Sequence, residues 1–502
     1  MAQAGDVVAA PSKATPREWL GLAVIALPCM LYSMDLTVLN LAVPSLARDL
    51  KPSASQLLWI IDIYGFMVAG FLIIMGALGD RFGRRKILLI GAVAFGLTSI
   101  FAAFASSAEM LILARALLGI AGATLAPSTL SLIASMFRDE NERSFAISMW
   151  IASFSAGAII GPLAGGILIH YFWWGSVFLL AVPAMALLLA VGPVLLPEYR
   201  NEEVTPIDAP SAMLSLASIL SLVFGAKHFA ETGFDSIVLA ALAFGLGLGA
   251  VFFTRQSRIA HPLVDLALFG SPVFSLSLAI NMLALFFMFG VFVFFAQYLQ
   301  LVAGLTAFEA GLWSLPSAIA FTVMSFFNAR LAAAYSSVTL IAGGLIVSAL
   351  GSVLVLLSES LPVLVLSMLI MGVGFTPVIA LTTGYIVGAA PPEKVGVASA
   401  LSETSGELGG ALGIALLGSL ATFIYRSRMA GIGLPPGTDT GVRTSLAAAL
   451  ESGAASNILE TARGAFMDAF SAAALISAAV LVGLALLALR LLSNAQSQQH
   501  GG

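Results

Sequence analysis

Apolar residues fall along this chain in long unbroken blocks, without the alternation of a half-buried strand or the heptad spacing of a coiled coil. Fourteen blocks occur, at roughly 18–43, 56–78, 87–105, 108–131, 144–168, 173–194, 210–229, 236–254, 272–299, 307–328, 337–357, 361–386, 396–424 and 466–490. A run of about 17–25 apolar residues is the length of one bilayer-spanning helix. The pattern therefore predicts an all-α integral membrane protein with 14 transmembrane helices. Two polar stretches stand out between the blocks. One is PEYRNEEVTPIDAPS (197–211). The other is a long loop at about 425–465, with the turn GLPPGTDTG and an expected short helix around 442–462.

Composition agrees with the pattern. Of 502 residues, 60% are hydrophobic and 10% charged, and the mean hydropathy is +1.03. A soluble domain is about 25% charged, so a water-soluble fold is excluded. The net charge of −4 offers no basic field to nucleic acid. A single cysteine, Cys29, rules out an intrachain disulfide. The first 17 residues are polar, and the block behind them lacks a small-x-small cleavage pattern and contains Asp35. A retained first helix is expected rather than a removed signal peptide.

An even number of spans puts both termini on one side. With the termini inside, fourteen Lys and Arg residues fall on inner segments and only three in the short outer loops. The positive-inside rule then makes both termini, and the tails 1–17 and 491–502, cytoplasmic. The chain also echoes itself. GIAGATLAP (119–127) returns as GVGFTP (372–377), and GAIIGPLAGG (157–166) as GGALGIALLG (409–418), at offsets near 252 residues. The expected organisation is a six-helix bundle at 18–196 and a second at 272–490. Two inserted helices with their linkers lie between them at 197–271. Parallel repeats of this kind build many secondary transporters, with the substrate site between the halves near the midplane.

Ionisable side chains at membrane depth are costly, so each is a functional candidate. Helix 1 runs outward and helix 2 inward, which puts Asp35 and Asp62 in the outer half. Arg115 enters helix 4 by about 10 Å from its outer end, at similar depth. Arg115 is expected beside Asp35, stabilising its charge, with Asp62 more isolated and placed to exchange a proton or hold a cation. The alternative for Asp35 and Arg115 is a structural ion pair that only locks helices 1 and 4. Glu403 and Glu407 are four apart on helix 13 and share a face, about 10 and 16 Å in from the cytoplasmic end. They would attract an organic cation or hold a proton; the blander role is helix–helix hydrogen bonding.

Other patterns bear on motion and on the cavity wall. In GALGDRFGRRKILL (76–89), Gly76 and Gly83 allow a tight turn and close helix approach. Arg81, Arg84 and Arg85 fix that loop in the cytoplasm, and Asp80 is placed to engage a neighbouring helix N-terminus. Gly157, Gly161 and Gly165 make one flat helix face, with Pro162 as a possible bend. Such a face acts as a moving seal or as static packing. Helix 9 is crowded with phenylalanine, most of it expected to meet lipid or core. Tyr32, Trp59 and Trp313 are expected on an aromatic wall suited to cations, with Asn281 and Gln297 as its polar groups. The four histidines give no metal spacing, and no phosphate-cradling Gly-x-x-x-x-Gly-Lys or Ser-His-Asp grouping occurs. No catalytic role and no cofactor are expected. Without an ATP site, uphill transport would draw on an ion gradient.

Five of these strings, in order, resemble the major facilitator superfamily. The 76–89 string resembles its loop 2–3 signature. LARALLGIAGA (113–123) resembles the helix 4 motif with Arg115 in the arginine position, and GAIIGPLAGG resembles the antiporter motif of helix 5. MDLTVLNLAVP (34–44) resembles the helix 1 motif of the fourteen-helix drug:proton antiporters. ASALSETSGELGGALGIALLGSL (398–420) is similar to helix 13 of the QacA-, SmvA- and LfrA-like branch. The second-half copy of the loop motif, FNARLAAAYS (327–336), retains little beyond Arg330. The resemblance implies a major facilitator fold in the cell (inner) membrane, working as a monomer. It implies exchange of external protons for hydrophobic, cationic compounds. The alternatives are export of an endogenous metabolite, lipid or siderophore by the same fold, or a membrane receptor or scaffold that lost transport.

Overall fold

In the computed structural model the described residues are 13–52, 54–198, 208–232, 235–260, 262–305, 307–357, 360–391, 394–431, 440–443, 445–452 and 454–500. They form α1 (Pro16–Leu50), α2 (Ala54–Phe82), α3 (Arg84–Ala103), α4 (Ala108–Gly122), α5 (Leu125–Met136) and α6 (Glu140–Tyr171). A 3-10 helix (Trp174–Leu180) runs into α7 (Ala181–Leu195), and α8 (Ala209–Thr232) and α9 (Ser236–Gln256) follow. Then come α10 (Pro272–Gln297), α11 (Ala307–Ala334), α12 (Ser337–Leu356) and α13 (Leu361–Gly388). The chain continues with α14 (Val395–Met429), α15 (Leu446–Glu451) and α16 (Ser456–His500).

Thirteen segments of the described residues are long and apolar enough to cross a membrane. The 32-residue α6 occupies the remaining expected span. The fourth span is one path made of two helices. It breaks at Ala123–Thr124, where Pro127 lacks the N–H to continue the ladder and Thr124 Oγ1 donates to Ala121 O at 2.7 Å. Polar residues start the helices as capping physics requires: Ser107 accepts from Met110 N at 3.1 Å, and Asp139 accepts from Glu142 N at 3.0 Å. The outer loop departs from expectation. A 3-10 turn (Thr440–Arg443) and the six-residue α15 replace a helix through 442–462, and the last helix begins at Ser456. Polar residues such as Asn457 and Glu460 hid that extension, because a helix can leave the membrane without losing its backbone bonds.

The internal repeat is visible as repeated packing. Gly157 of α6 sits against Met30 of α1, where a Cβ would meet Met30 O at 2.1 Å. Gly409 of α14 sits against Met282 of α10, where a Cβ would meet Met282 O at 2.3 Å. Both residues of the first contact return 252 positions later in the second. Hydrophobic attraction between helices is absent in lipid, so this close backbone approach is what holds such pairs. The small-residue face of α6, including Gly165 against Val38, packs on α1 within the first half. The hairpin α8–α9 packs beside α2 and α14. Leu216 and Leu220 of α8 lie over Gly70 of α2, and Val397 and Leu401 join the same apolar cluster.

Candidate functional site

Asp35 on α1 and Arg115 on α4 form an ion pair inside the first half. Arg115 Nη1 donates to Asp35 Oδ2. Arg115 Nε donates to Ile60 O at 3.1 Å and Nη2 to Ile61 O at 3.5 Å, both on α2. The guanidinium stands 4.8 Å from the Tyr64 ring centroid, a cation–π contact. The Arg115 side chain is 1% exposed and that of Asp35 12%. Three helices are thus fixed at one depth around a buried charge that is paired and hydrogen-bonded.

One turn before Asp35, the Tyr32 hydroxyl donates to Glu407 Oε1 at 2.7 Å, from the first half to α14 of the second. The Tyr32 ring lies 5.8 Å from Tyr64 and 5.7 Å from Phe154. Phe154 meets Trp150 edge-on at 4.9 Å, and Trp150 Nε1 donates to Thr129 Oγ1 at 2.9 Å. Cys29 Sγ is 3.5 Å from the same hydroxyl. Glu403, one turn along α14, is half-buried and makes no hydrogen bond among the described residues. It is near enough to Cys29, Tyr32 and Glu407 to act on them electrostatically. Two carboxylates one turn apart repel unless a proton or a cation joins them.

A second group of contacts closes the cytoplasmic ends of the two halves. Asp80 Oδ1 and Oδ2 accept from Gly396 N and Val397 N, both at 3.1 Å, at the start of α14. The helix N-terminus supplies unpaired N–H groups and a positive dipole end for that carboxylate. Arg84 holds Asp80 from the other side at 3.0 Å and donates to Ser131 O at 3.3 Å. Gly76 leaves room for this approach, since a Cβ there would lie 2.6 Å from Gly396 O. Gly83 turns the chain with φ +105, which favours glycine. Arg85 pairs with Glu198 at 3.5 Å and donates to Pro193 O and Leu196 O at 3.0 Å. Ser131 and Ser399 hydroxyls meet at 3.3 Å, and Asn328 Nδ2 donates to Ser148 Oγ at 3.4 Å. These last two inter-half ties lie within about 12 Å of their helices' cytoplasmic ends.

The family model described as Major Facilitator Superfamily matches residues 25–414, across both carboxylate clusters and the Asp80 turn. The chain belongs to that superfamily. Among curated superfamily relatives it is 40% identical to the multidrug efflux pump LfrA of Mycolicibacterium smegmatis, over 93% of this chain and 95% of that one. It is 35% identical to the methyl viologen resistance protein SmvA of Salmonella typhimurium, over 91% and 94%. It is 32% identical to the puromycin resistance protein pur8 of Streptomyces alboniger, over 87% and 89%. The crystal structure of the human organic anion transporter MFSD10 superposes with a TM-score of 0.60 at 16% identity, covering 93% of this chain and all of that one. That likeness shows a shared fold.

Of the residues singled out in the sequence, the structure brings Asp35, Arg115, Tyr32, Glu403 and Glu407 into one region. The side chains of Asp62 and Pro162 lie outside the described residues. Asn281 is buried and donates to Thr382 and Thr383 at 3.1 and 3.2 Å, tying α10 to α13. Trp59, Gln297 and Trp313 are exposed near the outer ends of α2, α10 and α11. Arg81 stacks on Phe82 at 5.0 Å. Sequence reasoning missed Tyr64, Trp150 and Thr129. Tyr64 carried a faint signal, since it follows Asp62 by two residues in an apolar run; Trp150 and Thr129 carried none.

Proposed function

We propose that this chain exports hydrophobic, cationic compounds, such as dyes, quaternary ammonium antiseptics and antibiotics, in exchange for external protons. The observation that carries the reading is the Tyr32–Glu407 hydrogen bond. It connects the Asp35–Arg115 pair of one half to the acids of the other. The similarity to LfrA, a multidrug efflux pump, and to SmvA, a methyl viologen resistance protein, supports it. Two bundles, 18–196 and 272–490, rock about this region, and 197–271 is an inserted pair. Each chain works as a monomer. The arrangement of ties at the cytoplasmic ends corresponds to a state closed to the cytoplasm.

Coupling needs only competition. Glu403, Glu407 and Asp62 take either protons or the substrate's positive charge. A ligand shifts a conformational equilibrium by its differential affinity for the two states. Outside, protons displace the cation; inside, the cation displaces protons. Aromatic groups near the acids, Tyr32 among them, favour flat lipophilic cations through cation–π attraction.

The test is ethidium efflux from cells carrying this chain or empty vector, with and without a protonophore. Faster efflux that the protonophore abolishes is expected, together with loss of that advantage in Glu407→Gln. Equal rates in cells with folded protein and with vector would overturn the reading.

A further inference from the structure

Asp35 faces two environments. On one side Arg115 occupies its Oδ2, and Tyr64 and the Tyr32–Glu407 bond lie beyond. On the other is a small cavity of about 20 Å³ inside the first half, between α1, α3 and the Trp174–Leu180 helix leading into α7. Asp35 and Ser99 are the polar residues of its wall, and Phe95, Val177, Phe178 and Ala181 are among the apolar ones. A single water needs about 10–15 Å³ of such space and at least two polar partners. Both conditions are met here.

Ser99 adds an independent observation. It is 1% exposed, and its hydroxyl makes no hydrogen bond among the described residues. Neighbouring Thr98 instead bonds back to its own helix, at 2.7 Å to Ala94 O. A buried hydroxyl without a protein partner costs about 1–3 kcal/mol, and a bound water removes that cost. The place is also near the outside: Ser99 is four residues, about 6 Å, from the outer end of α3. The Trp174–Leu180 stretch lies over it as a seven-residue 3-10 helix, longer than such helices usually persist. Trp173 Nε1 pins that stretch to Ala103 O at 3.0 Å.

We propose that this cavity binds a water between Asp35 and Ser99 and is the outer proton entrance to Asp35, separate from the cleft between the halves. A proton passes from hydronium in the cavity to the Asp35 carboxylate and leaves water behind. Among the described residues, Arg115 on α4 and Tyr64 on α2 are the ionisable groups facing that carboxylate from its other side, and no ionisable group besides Asp35 lines the cavity. Protons thereby reach the first half while a cation occupies the cleft. This rests on the proton-exchange reading above.

Proton-driven ethidium transport in proteoliposomes, across a series of external pH values, tests the route alongside equilibrium ethidium binding in detergent. Ser99→Val removes the hydroxyl, and Val177→Leu fills the cavity from the opposite wall without touching Ser99. Both are expected to slow transport about threefold to tenfold, the scale of one lost hydrogen bond, and to shift its pH profile while ethidium affinity is kept. Ser99→Thr keeps the hydroxyl and is expected to keep the rate. A coupled wild type matched in rate and pH profile by Ser99→Val and Val177→Leu would overturn the route alone. A wild type indifferent to the proton gradient would overturn the exchange reading and the route together.

Discussion

Arg115 is the residue on which the first half turns. It is 1% exposed and its partners come from α1 and α2. Arg115→Ala leaves Asp35 charged and unpaired in a low-dielectric site, a loss of about 3–5 kcal/mol. A fall in the thermal midpoint of the detergent-solubilised protein is expected, and Asp35→Asn in the same background should recover part of it. A midpoint unchanged by Arg115→Ala would mean that the pair carries little of the stability. The pairing itself was legible, because chain direction and helical rise put the two residues at one depth. The Tyr32–Glu407 bond was not, since nothing local specifies which acid of the second half a tyrosine of the first will meet.

At the scale of elements, small residues decide helix pairing, and the structure shows which ones. A methyl at Gly157 would collide with a backbone oxygen that cannot swing away. Gly157→Ala is expected to cost about 1–3 kcal/mol of overpacking. Gly166, nine residues on, has open space around its Cβ position. Gly166→Ala is expected to stabilise by up to about 1 kcal/mol through helix propensity. Thermal unfolding of both variants separates packing from propensity. The flat face was readable from spacing; its partner, α1, required the fold.

The linkers offer a contrasting electrostatic element. Lys394, at the start of α14, pairs with Asp265 at 2.6 Å, and that hydrogen bond holds the Asp265 carboxyl below the usual range. A carboxyl lowered by folding contributes stability above its unfolded value, near 3.9, and loses it as pH falls through the lower folded value. This tie is therefore intact at neutral pH and does not titrate there. Asp265→Asn is expected to change transport by one constant factor across the neutral range. A shifted pH optimum in that variant would implicate the linker in proton coupling.

For the whole molecule, the repeat makes the two halves alike in packing and unlike in charge. Asp35 has Phe287 at the position 252 residues later, so the buried charged pair belongs to the first half alone. The second half contributes acids on α14 instead, at the surface facing the first. The periodicity of the chain carried the architecture, because each span must satisfy its own backbone in lipid. The cytoplasmic closure was only half legible. The Asp80 turn announced a carboxylate seeking a helix N-terminus, but only the folded chain identifies Gly396 and Val397 as the donors.

That charge asymmetry bears on how many protons move per cycle. A membrane potential supplies about 2.3 kcal/mol per charge per 100 mV, and one pH unit supplies about 1.4 kcal/mol. One proton exchanged for one monovalent cation moves no net charge and draws on the pH term alone. In the proposed cycle Asp35, paired to Arg115 and reached from the outer cavity, takes a proton, and Asp62, Glu403 and Glu407 take protons or substrate. Two protons per cycle would carry one net charge inward with a monovalent dye and none with a divalent one. Transport of a monovalent dye at zero pH gradient is therefore expected to respond to an imposed potential, and transport of a divalent dye is expected to ignore it. The reverse pattern, with only the divalent dye responding, would mean a single proton per cycle. Exchange of Glu403 for glutamine should then leave the potential dependence of the monovalent dye as flat as before.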